Sequence, residues 1–391
     1  MSFDVVSLGC RLNLSESESL RVMLAGQDNL VVVNSCAVTA EAVRQTRQAI
    51  RRARRARPDA RLLVTGCAAE VERAAIAAMP EVDGLIANAA KLDARAWNVP
   101  AAGTPSGQTA HTRAYVAVQN GCDHACTFCI IPQGRGASRS VPVGDVLRTV
   151  EGHLQRGTLE VVLTGVDLTS WGADLPGAPR LGTLAEAILR TFPGLPRLRL
   201  SSLDGVEIDP LLLDLIGGEA RIMPQVHLSL QHGHDLILKR MKRRHSRAEA
   251  AALVEGLRAR RPGIAFGADL IAGFPTEDAV MHAANLSLIG ELALVHTHVF
   301  PFSPREGTPA ARMPAVSAAL VRERAAQLRA EAARVHRSWL TEQIGKPLSV
   351  LAERGGSGHA ENFARVRVAQ GVPPGTIATI IPTHTEEGLL A

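Results

Sequence analysis

The most informative stretch of this 391-residue sequence is Asn120-Gly121-Cys122-Asp123-His124-Ala125-Cys126-Thr127-Phe128-Cys129. Its three cysteines have Cys-x3-Cys-x2-Cys spacing and follow a strand-like run at 115–119. Three thiolates spaced in this way can converge on one face of a cuboidal iron–sulfur cluster, which leaves one of the usual four ligand positions open. The spacing therefore predicts a cluster whose fourth iron has either a distant ligand or an exchangeable one. The alternatives are a zinc site with His124 as its fourth ligand, or buried thiols that bind no metal.

The other three cysteines each follow an apolar run within the first hundred residues. Cys10, Cys36 and Cys67 come after the runs at 5–9, 30–35 and 62–66. Their intervals, 26 and 31 residues, match the size of a βαβ unit, so the runs are interpreted as buried parallel strands. All three thiols are then expected at the carboxyl ends of the strands, the edge at which open α/β sheets bind ligands.

Strand-like runs recur through the middle of the chain with helical intervals between them. They lie at 115–119, 160–164, 198–202, 226–230, 265–271 and 295–300. Six βα units predict a parallel sheet, either a partial barrel or a doubly wound sheet, and periodicity alone does not separate the two. A helix at 317–342 and short strands at 347–351, 363–368 and 376–382 follow, and these strands predict a small β module.

Composition excludes several classes of protein. Apolar residues make up 46% and charged residues 21%, which is typical of a globular protein and not of a disordered or fibrous one. The length excludes a mini-protein held together by disulfides. No apolar run approaches the roughly 18 residues of a membrane span, and no basic leader precedes the first strand, so we expect a cytosolic protein. In a reducing cytosol, six cysteines indicate metal binding or catalysis rather than disulfides.

The cysteine motif, with Phe128 before its last cysteine, resembles the radical S-adenosylmethionine (SAM) superfamily. Together with Cys10, Cys36 and Cys67 in a preceding α/β domain and with a terminal β module, the whole chain is similar to a methylthiotransferase. The resemblance implies an α/β fold with three parts. They are an N-terminal open parallel-sheet domain (1–103), a partial (β/α)6 radical-SAM barrel (108–342) and an abbreviated TRAM-like module (343–391), with a linker at 100–107.

The same resemblance implies two 4Fe-4S clusters and SAM as cofactors. Catalytic Cys122, Cys126 and Cys129 would hold the cluster whose open iron binds SAM, which is cleaved to a 5′-deoxyadenosyl radical. Cys10, Cys36 and Cys67 would hold a second cluster that carries the sulfur. The implied SAM-binding residues are Phe128, Ile130, Thr164, Gly165, Asp167, Ser201, Asp269 and Gly273. For each of them, ordinary packing or an ordinary βα turn is the alternative.

The segments at 34–42, 129–140 and 238–245 are most similar to the branch that modifies threonylcarbamoyladenosine in tRNA. Gln133 and His232 depart from that branch, which usually has an aromatic and a small residue there. The implied reaction adds a methylthio group to C2 of N6-threonylcarbamoyladenosine next to the anticodon. The alternatives are isopentenyladenosine in tRNA, an aspartate of a ribosomal protein or, in a different class, a non-catalytic RNA-binding protein that contains zinc.

Charge placement agrees with an RNA partner. The net charge is +5, and seven arginines against one acid lie between Glu41 and Arg57. Six cations lie between Lys239 and Arg247, whereas the segment 346–391 has four cations and four anions. Either basic run could contact phosphates, although each could instead be a solvated helix face. We expect a tRNA anticodon loop and an electron donor such as flavodoxin or ferredoxin as partners, and no membrane. The sequence leaves the oligomeric state open.

Overall fold

The computed structural model describes residues 3–100 and 112–391. The chain starts with a four-stranded parallel sheet of sequential order, β1-β2-β3-β4, with helices on both faces. Its strands are β1 (Asp4–Ser7), β2 (Leu30–Ser35), β3 (Arg61–Gly66) and β4 (Gly84–Leu85). Its helices are α1 (Arg11–Met23), α2 (Ala40–Ala56), α3 (Cys67–Val71) and α4 (Arg73–Ala77). Val31 and Val33 face one apolar cluster and Val5 and Val32 another, so the central strand is buried on both faces.

The central unit is a partial barrel. Its six main strands are β5 (Ala114–Ala117), β8 (Glu160–Thr164), β9 (Arg197–Leu200), β10 (Gln225–Gln231), β11 (Ala265–Ala272) and β12 (Leu294–Pro301). A short ladder joins β6 (Gln119–Asn120) to β7 (Arg139–Ser140). The helices are α5 (Ile131–Arg135), α6 (Val143–Gln155), α7 (Leu181–Thr191), α8 (Pro210–Gly218), α9 (Asp235–Arg240), α10 (Arg247–Arg260), α11 (Ala279–Glu291) and α12 (Ala318–Gln343).

The strand order identifies a barrel rather than a doubly wound sheet. The strands form two parallel three-stranded sheets, β5-β8-β9 and β10-β11-β12, and a bridge between Leu203 and Leu228 connects the two. The order is therefore sequential throughout, whereas a doubly wound sheet reverses it. Within the described residues β5 and β12 do not pair, so the barrel is open there. Helix α1 lies along the β5 edge, where the Ser15 hydroxyl donates to the carbonyl of Tyr115 (2.8 Å).

The lumen of this barrel is polar. Along β10, Val226 and Leu228 pack into the core between strands and helices, so His227 between them faces the lumen. The same alternation turns several other polar side chains inward, namely Tyr115, Glu160, Arg197, Arg199, Asp269, His296 and His298. Such a lumen can accommodate a polar ligand.

The C-terminal module is a six-stranded, largely antiparallel sheet, packed against the end of α12 through Leu340. Its strands are β13 (Leu348–Ala352), β14 (Ser357–Ala360), β15 (Arg365–Arg367), β16 (Ile377–Ile380), β17 (Thr385–Glu386) and β18 (Leu389–Leu390). Arg197 of the barrel donates to the carbonyl of Ser349 (2.6 Å), and Arg199 donates to that of Glu361 (3.2 Å). The module therefore closes one end of the lumen.

These features confirm the predicted fold class. The domain boundaries at 103, 108 and 343 stay a prediction, and the proposed linker, apart from Pro100, lies outside the described residues. No helix within the described residues has the length and apolar character needed to cross a membrane.

Candidate active site

The Cys-x3-Cys-x2-Cys loop follows β6 and is anchored on both sides. The Thr127 backbone N–H donates to the carbonyl of Met241 (3.1 Å), and its hydroxyl donates to that of Arg240 (2.8 Å). The Thr127 carbonyl accepts from the N–H of Ala310 (2.9 Å). These bonds tie the loop to the end of α9 and to the segment after β12. They hold the partly exposed thiols of Cys122, Cys126 and Cys129 at the catalytic edge of the barrel.

Two of these thiols, Cys122 and Cys129, must lose a proton before they can bind iron. Burial raises the pKa of Cys122 to about 12 and that of Cys129 to about 11. Bound iron would reverse this balance, since a coordinating thiol is deprotonated outright. A zinc site with all three thiols and His124 would need Zn–S bonds of about 2.3 Å, which would draw the ligand sulfurs to within about 4 Å of one another. One group of possible metal ligands consists of Cys122, His124 and Asp167. Among the described residues, every group of three ligand atoms within 4.8 Å of one another contains at most one thiol.

Asp167 lies beside the first cysteine, as its predicted role in binding the SAM amino group requires. Its carboxylate is 2.7 Å from Nε2 of His124 and 3.7 Å from Sγ of Cys122. Hydrogen bonds to Asp167 and Glu207 raise the pKa of His124 to about 10, so the imidazole is cationic. The strand end thus holds an acid and a compensating cation next to the cluster loop.

Gln119 positions this strand end, and sequence reasoning missed it. Its Oε1 accepts from the backbone N–H groups of Val166 (3.0 Å) and Asp167 (2.8 Å). A Cβ on Gly165 would lie 2.9 Å from the same oxygen, so a side chain there would displace the Gln119 amide. The Thr164 carbonyl already accepts from the Val118 N–H (3.0 Å), which leaves its hydroxyl as the group to be considered for SAM.

The remaining predicted SAM residues lie in different surroundings. The hydroxyl of Ser201, just past β9, is buried without a hydrogen-bond partner among the described residues, so it is available to bind a ligand. Asp269 faces the lumen, 3.0 Å from His227 Nε2 and 3.1 Å from His298 Nδ1. Burial favours the neutral acid, but these two hydrogen bonds outweigh burial and lower the pKa of Asp269.

Gly273 adopts a positive φ of 70°, and a Cβ there would lie 2.5 Å from Cγ2 of Val321. Gly273 was predicted to allow a close approach to adenosine. In this structure the element that it lets approach closely is helix α12. Phe128 packs edge-on against Phe274 (6.4 Å between centroids), and the Ile130 carbonyl accepts from the N–H groups that start α5. The proposed roles of these three residues toward SAM stay predictions.

Cys10, Cys36 and Cys67 follow β1, β2 and β3 and meet at the carboxyl edge of that sheet, as predicted. Cys10 is exposed, whereas Cys36 and Cys67 are buried, and burial raises the pKa of both buried thiols. Gly9 has a φ of 89°, and a Cβ there would lie 2.6 Å from the Cβ of Cys36. The absence of a side chain at Gly9 therefore allows the first strand to end against the second cysteine.

The two cysteine sites are joined through α5. A Cβ on Gly134 would lie 3.3 Å from the Cβ of Cys67. The next residue, Arg135, places Nη1 2.9 Å from Oε1 of buried Glu16. Lys91 Nζ lies 2.5 Å from the other carboxylate oxygen. Helix α5 therefore connects the loop of the first site directly to the wall of the second.

Most of the basic run at 239–247 is paired within the protein, and its contact with phosphates stays a prediction. Arg243 and Arg244 both lie 3.0 Å from Asp204 Oδ2, and Arg243 also donates toward Sγ of Cys126 (3.7 Å). Arg240 is bonded to Thr276, and Arg247 is paired with Glu291. Four of the six cations are therefore bonded within the barrel, and Arg243 and Arg244 lie beside the cysteine loop. Of the two departures from the branch pattern, His232 is buried against Glu277 (3.2 Å), whereas Gln133 is exposed.

Comparison with known proteins agrees with this architecture. Residues 116–286 match the radical SAM superfamily, and residues 2–87 match the uncharacterized protein family UPF0004. The fold resembles that of TsrM of Kitasatospora setae, a radical S-adenosylmethionine methyltransferase (TM-score 0.58, 16% identity, 79% of this chain and 74% of that one).

Curated relatives align along nearly the entire chain. Threonylcarbamoyladenosine tRNA methylthiotransferase MtaB of Rickettsia prowazekii is 43% identical over 99% of this chain and 96% of its own length. Ribosomal protein uS12 methylthiotransferase RimO of Anaeromyxobacter sp. is 34% identical over 94% of this chain and 84% of its own length. A tRNA-2-methylthio-N(6)-dimethylallyladenosine synthase of Novosphingobium aromaticivorans is 33% identical over 91% of this chain and 87% of its own length. The chain belongs to the radical SAM methylthiotransferase family.

Proposed function

We propose that this enzyme adds a methylthio group to C2 of N6-threonylcarbamoyladenosine next to the anticodon of tRNA. The observation that carries the proposal is the 43% identity, over almost the full length of both chains, to a relative named for that nucleoside. Relatives named for the isopentenyl-type nucleoside and for the ribosomal protein are 30–34% identical. A tRNA substrate would place the reaction in the cytoplasm.

The cofactors are two 4Fe-4S clusters and SAM. We assign the first cluster to Cys122, Cys126 and Cys129, and the second to Cys10, Cys36 and Cys67. When bound, the first cluster and SAM supply one-electron chemistry, which an unactivated adenine C2–H bond requires because acid–base catalysis offers little there. An electron donor such as flavodoxin or ferredoxin would supply the electron.

The protein's own groups would orient SAM at the first site. Asp167 offers its carboxylate to the SAM amino group, and its hydrogen bond to His124 (2.7 Å) holds that carboxylate beside Cys122. The unpartnered Ser201 hydroxyl supplies a donor and an acceptor at the end of the next strand. Arg243, buried against Asp204, keeps a cation next to the anionic cluster.

A groove beside α2 is suited to the tRNA backbone. Its volume is about 380 Å³, and its lining contains Arg44, Arg47, Arg51 and Arg305 against a single acid, Glu72. The Nε of buried Arg305 has no hydrogen-bond partner within the described residues. The groove lies where the segment after Cys36 meets the segment after β12, since the Ala40 N–H donates to the Ser303 hydroxyl (3.0 Å). A phosphate chain there would lead toward both cysteine sites.

The test is mass spectrometry of nucleosides from the tRNA of a strain that lacks this gene, before and after complementation. We expect the 2-methylthio form of threonylcarbamoyladenosine to disappear and to return, while the isopentenyl product stays unchanged. Complementation with a Cys126→Ala variant is the matched control and should not restore the nucleoside. Loss of the isopentenyl product instead, or of the ribosomal-protein modification, would overturn the assigned substrate.

A further inference from the structure

One arginine stands at the meeting point of the three parts of the molecule. Arg11 directly follows Cys10 and is the first residue of α1. Its guanidinium carbon lies 6.0 Å from the ring centre of Tyr115 in β5 and 5.5 Å from that of Phe363 in the C-terminal module. The side chain therefore extends from the second cysteine site into the open side of the barrel.

This guanidinium has no anion of its own. Among the described residues, no carboxylate pairs with Arg11, and no acceptor forms a hydrogen bond with its guanidinium. Two acids lie nearby, and both are already paired. Glu160 is fully buried and is paired with Arg113 (2.8 Å), Arg199 (3.0 Å) and Arg197 (3.3 Å), and Glu353 is paired with Arg113 and with His359. The crevice around Arg11 therefore has a surplus of positive charge.

The surroundings of Arg11 strengthen its preference for an anion. Arg11 is exposed at the mouth of this crevice, and two further cations, Arg113 and Arg199, lie against the same aromatic ring. Phe363 already faces the guanidinium groups of Arg113 (5.3 Å) and Arg199 (4.9 Å), so its ring is shared among three cations. A carboxylate from a ligand would neutralise part of this cluster and form charge-assisted hydrogen bonds.

We propose that Arg11 binds the carboxylate of the threonylcarbamoyl group and thereby selects this nucleoside. The inference rests on the proposed function, because the adenine must present C2 to both cysteine sites and its N6 substituent must occupy adjacent space. Arg11, next to Cys10 and facing the lumen, is placed to meet that substituent. The isopentenyl group carries no charge, and covering an unpaired guanidinium with it would incur a desolvation penalty. The same residue therefore favours one substituent and rejects the other.

The test compares two anticodon stem-loop RNAs that differ by one charge. One carries threonylcarbamoyladenosine and the other its methyl ester, and kcat/KM for methylthiolation is measured with reconstituted wild-type enzyme. The variants are Arg11→Gln and Arg11→Lys, and Arg148→Gln removes an exposed cation on the outer helix α6 as a matched control. Iron content and SAM cleavage without RNA are measured for each protein, and so is the dissociation constant for each RNA.

Wild-type enzyme and Arg148→Gln should prefer the free acid over the ester by roughly 10- to 100-fold, the worth of a charge-assisted hydrogen bond. Arg11→Gln should treat the two RNAs alike, at unchanged iron content and SAM cleavage, and Arg11→Lys should keep most of the preference. Equal use of acid and ester by the wild type would overturn the inference, as would an undiminished preference in Arg11→Gln. If wild-type enzyme modifies neither RNA but does modify isopentenyladenosine, the proposed function itself fails.

Discussion

Arg135 Nη1 lies 2.9 Å from Oε1 of Glu16, and this ion pair joins the barrel to the N-terminal unit between the two cysteine sites. Lys91 completes the group on the opposite side of the carboxylate, and all three side chains are at most 2% exposed. The charges of two buried cations, Arg135 and Lys91, are thus balanced by one buried carboxylate. Their attraction to Glu16 outweighs the effect of burial and lowers the pKa of that carboxyl.

Glu16→Gln should therefore destabilise the protein strongly. Removing one partner of a buried ion pair leaves the others uncompensated, which costs about 3–5 kcal/mol. We expect a loss of this size in the free energy of unfolding, measured by urea denaturation at neutral pH. The matched control is Glu18→Gln on the same helix, whose partner Arg21 is 38% exposed, so the loss there should stay below about 1 kcal/mol. Similar losses in both variants would contradict the role given to Glu16.

The two cysteine sites should fail in different ways. Cys126 belongs to the barrel loop beside Asp167, so Cys126→Ala should abolish SAM cleavage. Cys36 lies in the other sheet, and Cys36→Ala should still form 5′-deoxyadenosine while making no methylthio product. Chromatography of the small-molecule products, together with iron analysis, separates these outcomes. An equal loss of SAM cleavage in both variants would refute the division of labour between the sites.

Much of the fold could be predicted because it depends on local pattern. The predicted helix at 317–342 is observed as Ala318–Gln343, and the predicted strand at 160–164 as Glu160–Thr164. Strand β14 (Ser357–Ala360) was missed because its glycine and histidine give no apolar run, and its stability comes from pairing with both neighbours. The position of the six cysteines after strands could also be predicted, because the βα periodicity shows where each strand ends.

What could not be predicted depends on contacts between distant parts of the chain. Arg243 and Arg244 resemble a solvated basic run, but their partner Asp204 lies in another βα unit. Arg11 differs from an ordinary helix-surface arginine only because Tyr115 and Phe363 approach it. One signal was available in the sequence. The alternation Val226-His227-Leu228-Ser229-Leu230 indicates a strand with one polar face, and a central barrel strand turns that face into the lumen.

Stability should depend on pH through His296. Burial, reinforced by nearby His336, lowers the pKa of His296 to about 3. A histidine with a lowered pKa in the folded state contributes stability above its unfolded pKa of about 6.5, and this contribution is lost as the pH falls toward 3. His296→Gln, which keeps a donor for the Asn362 carbonyl, should therefore lose less stability on acidification than the wild type.

For each pH unit below about 6.5, the wild type should lose about 1.4 kcal/mol more of its free energy of unfolding than His296→Gln does. Urea denaturation of both proteins between neutral pH and about pH 5.5 measures it, because every other titrating group is common to the two. Parallel curves for the two proteins would show that His296 takes up a proton in the folded state as readily as in the unfolded one.

The arginine groove should determine part of the salt dependence of tRNA binding. Arg44 lies in the groove wall and is 61% exposed, and within the described part of the chain its one ion pair is with Glu41, one turn earlier. If it contacts a phosphate, Arg44→Gln should reduce the slope of log K against log salt by about 1. Arg148 and Arg334 are matched controls, because each is similarly exposed and pairs with an acid three residues earlier on an outer helix. Their glutamine variants should keep the wild-type slope, and an equal reduction in all three would mean that net charge rather than the groove determines RNA affinity.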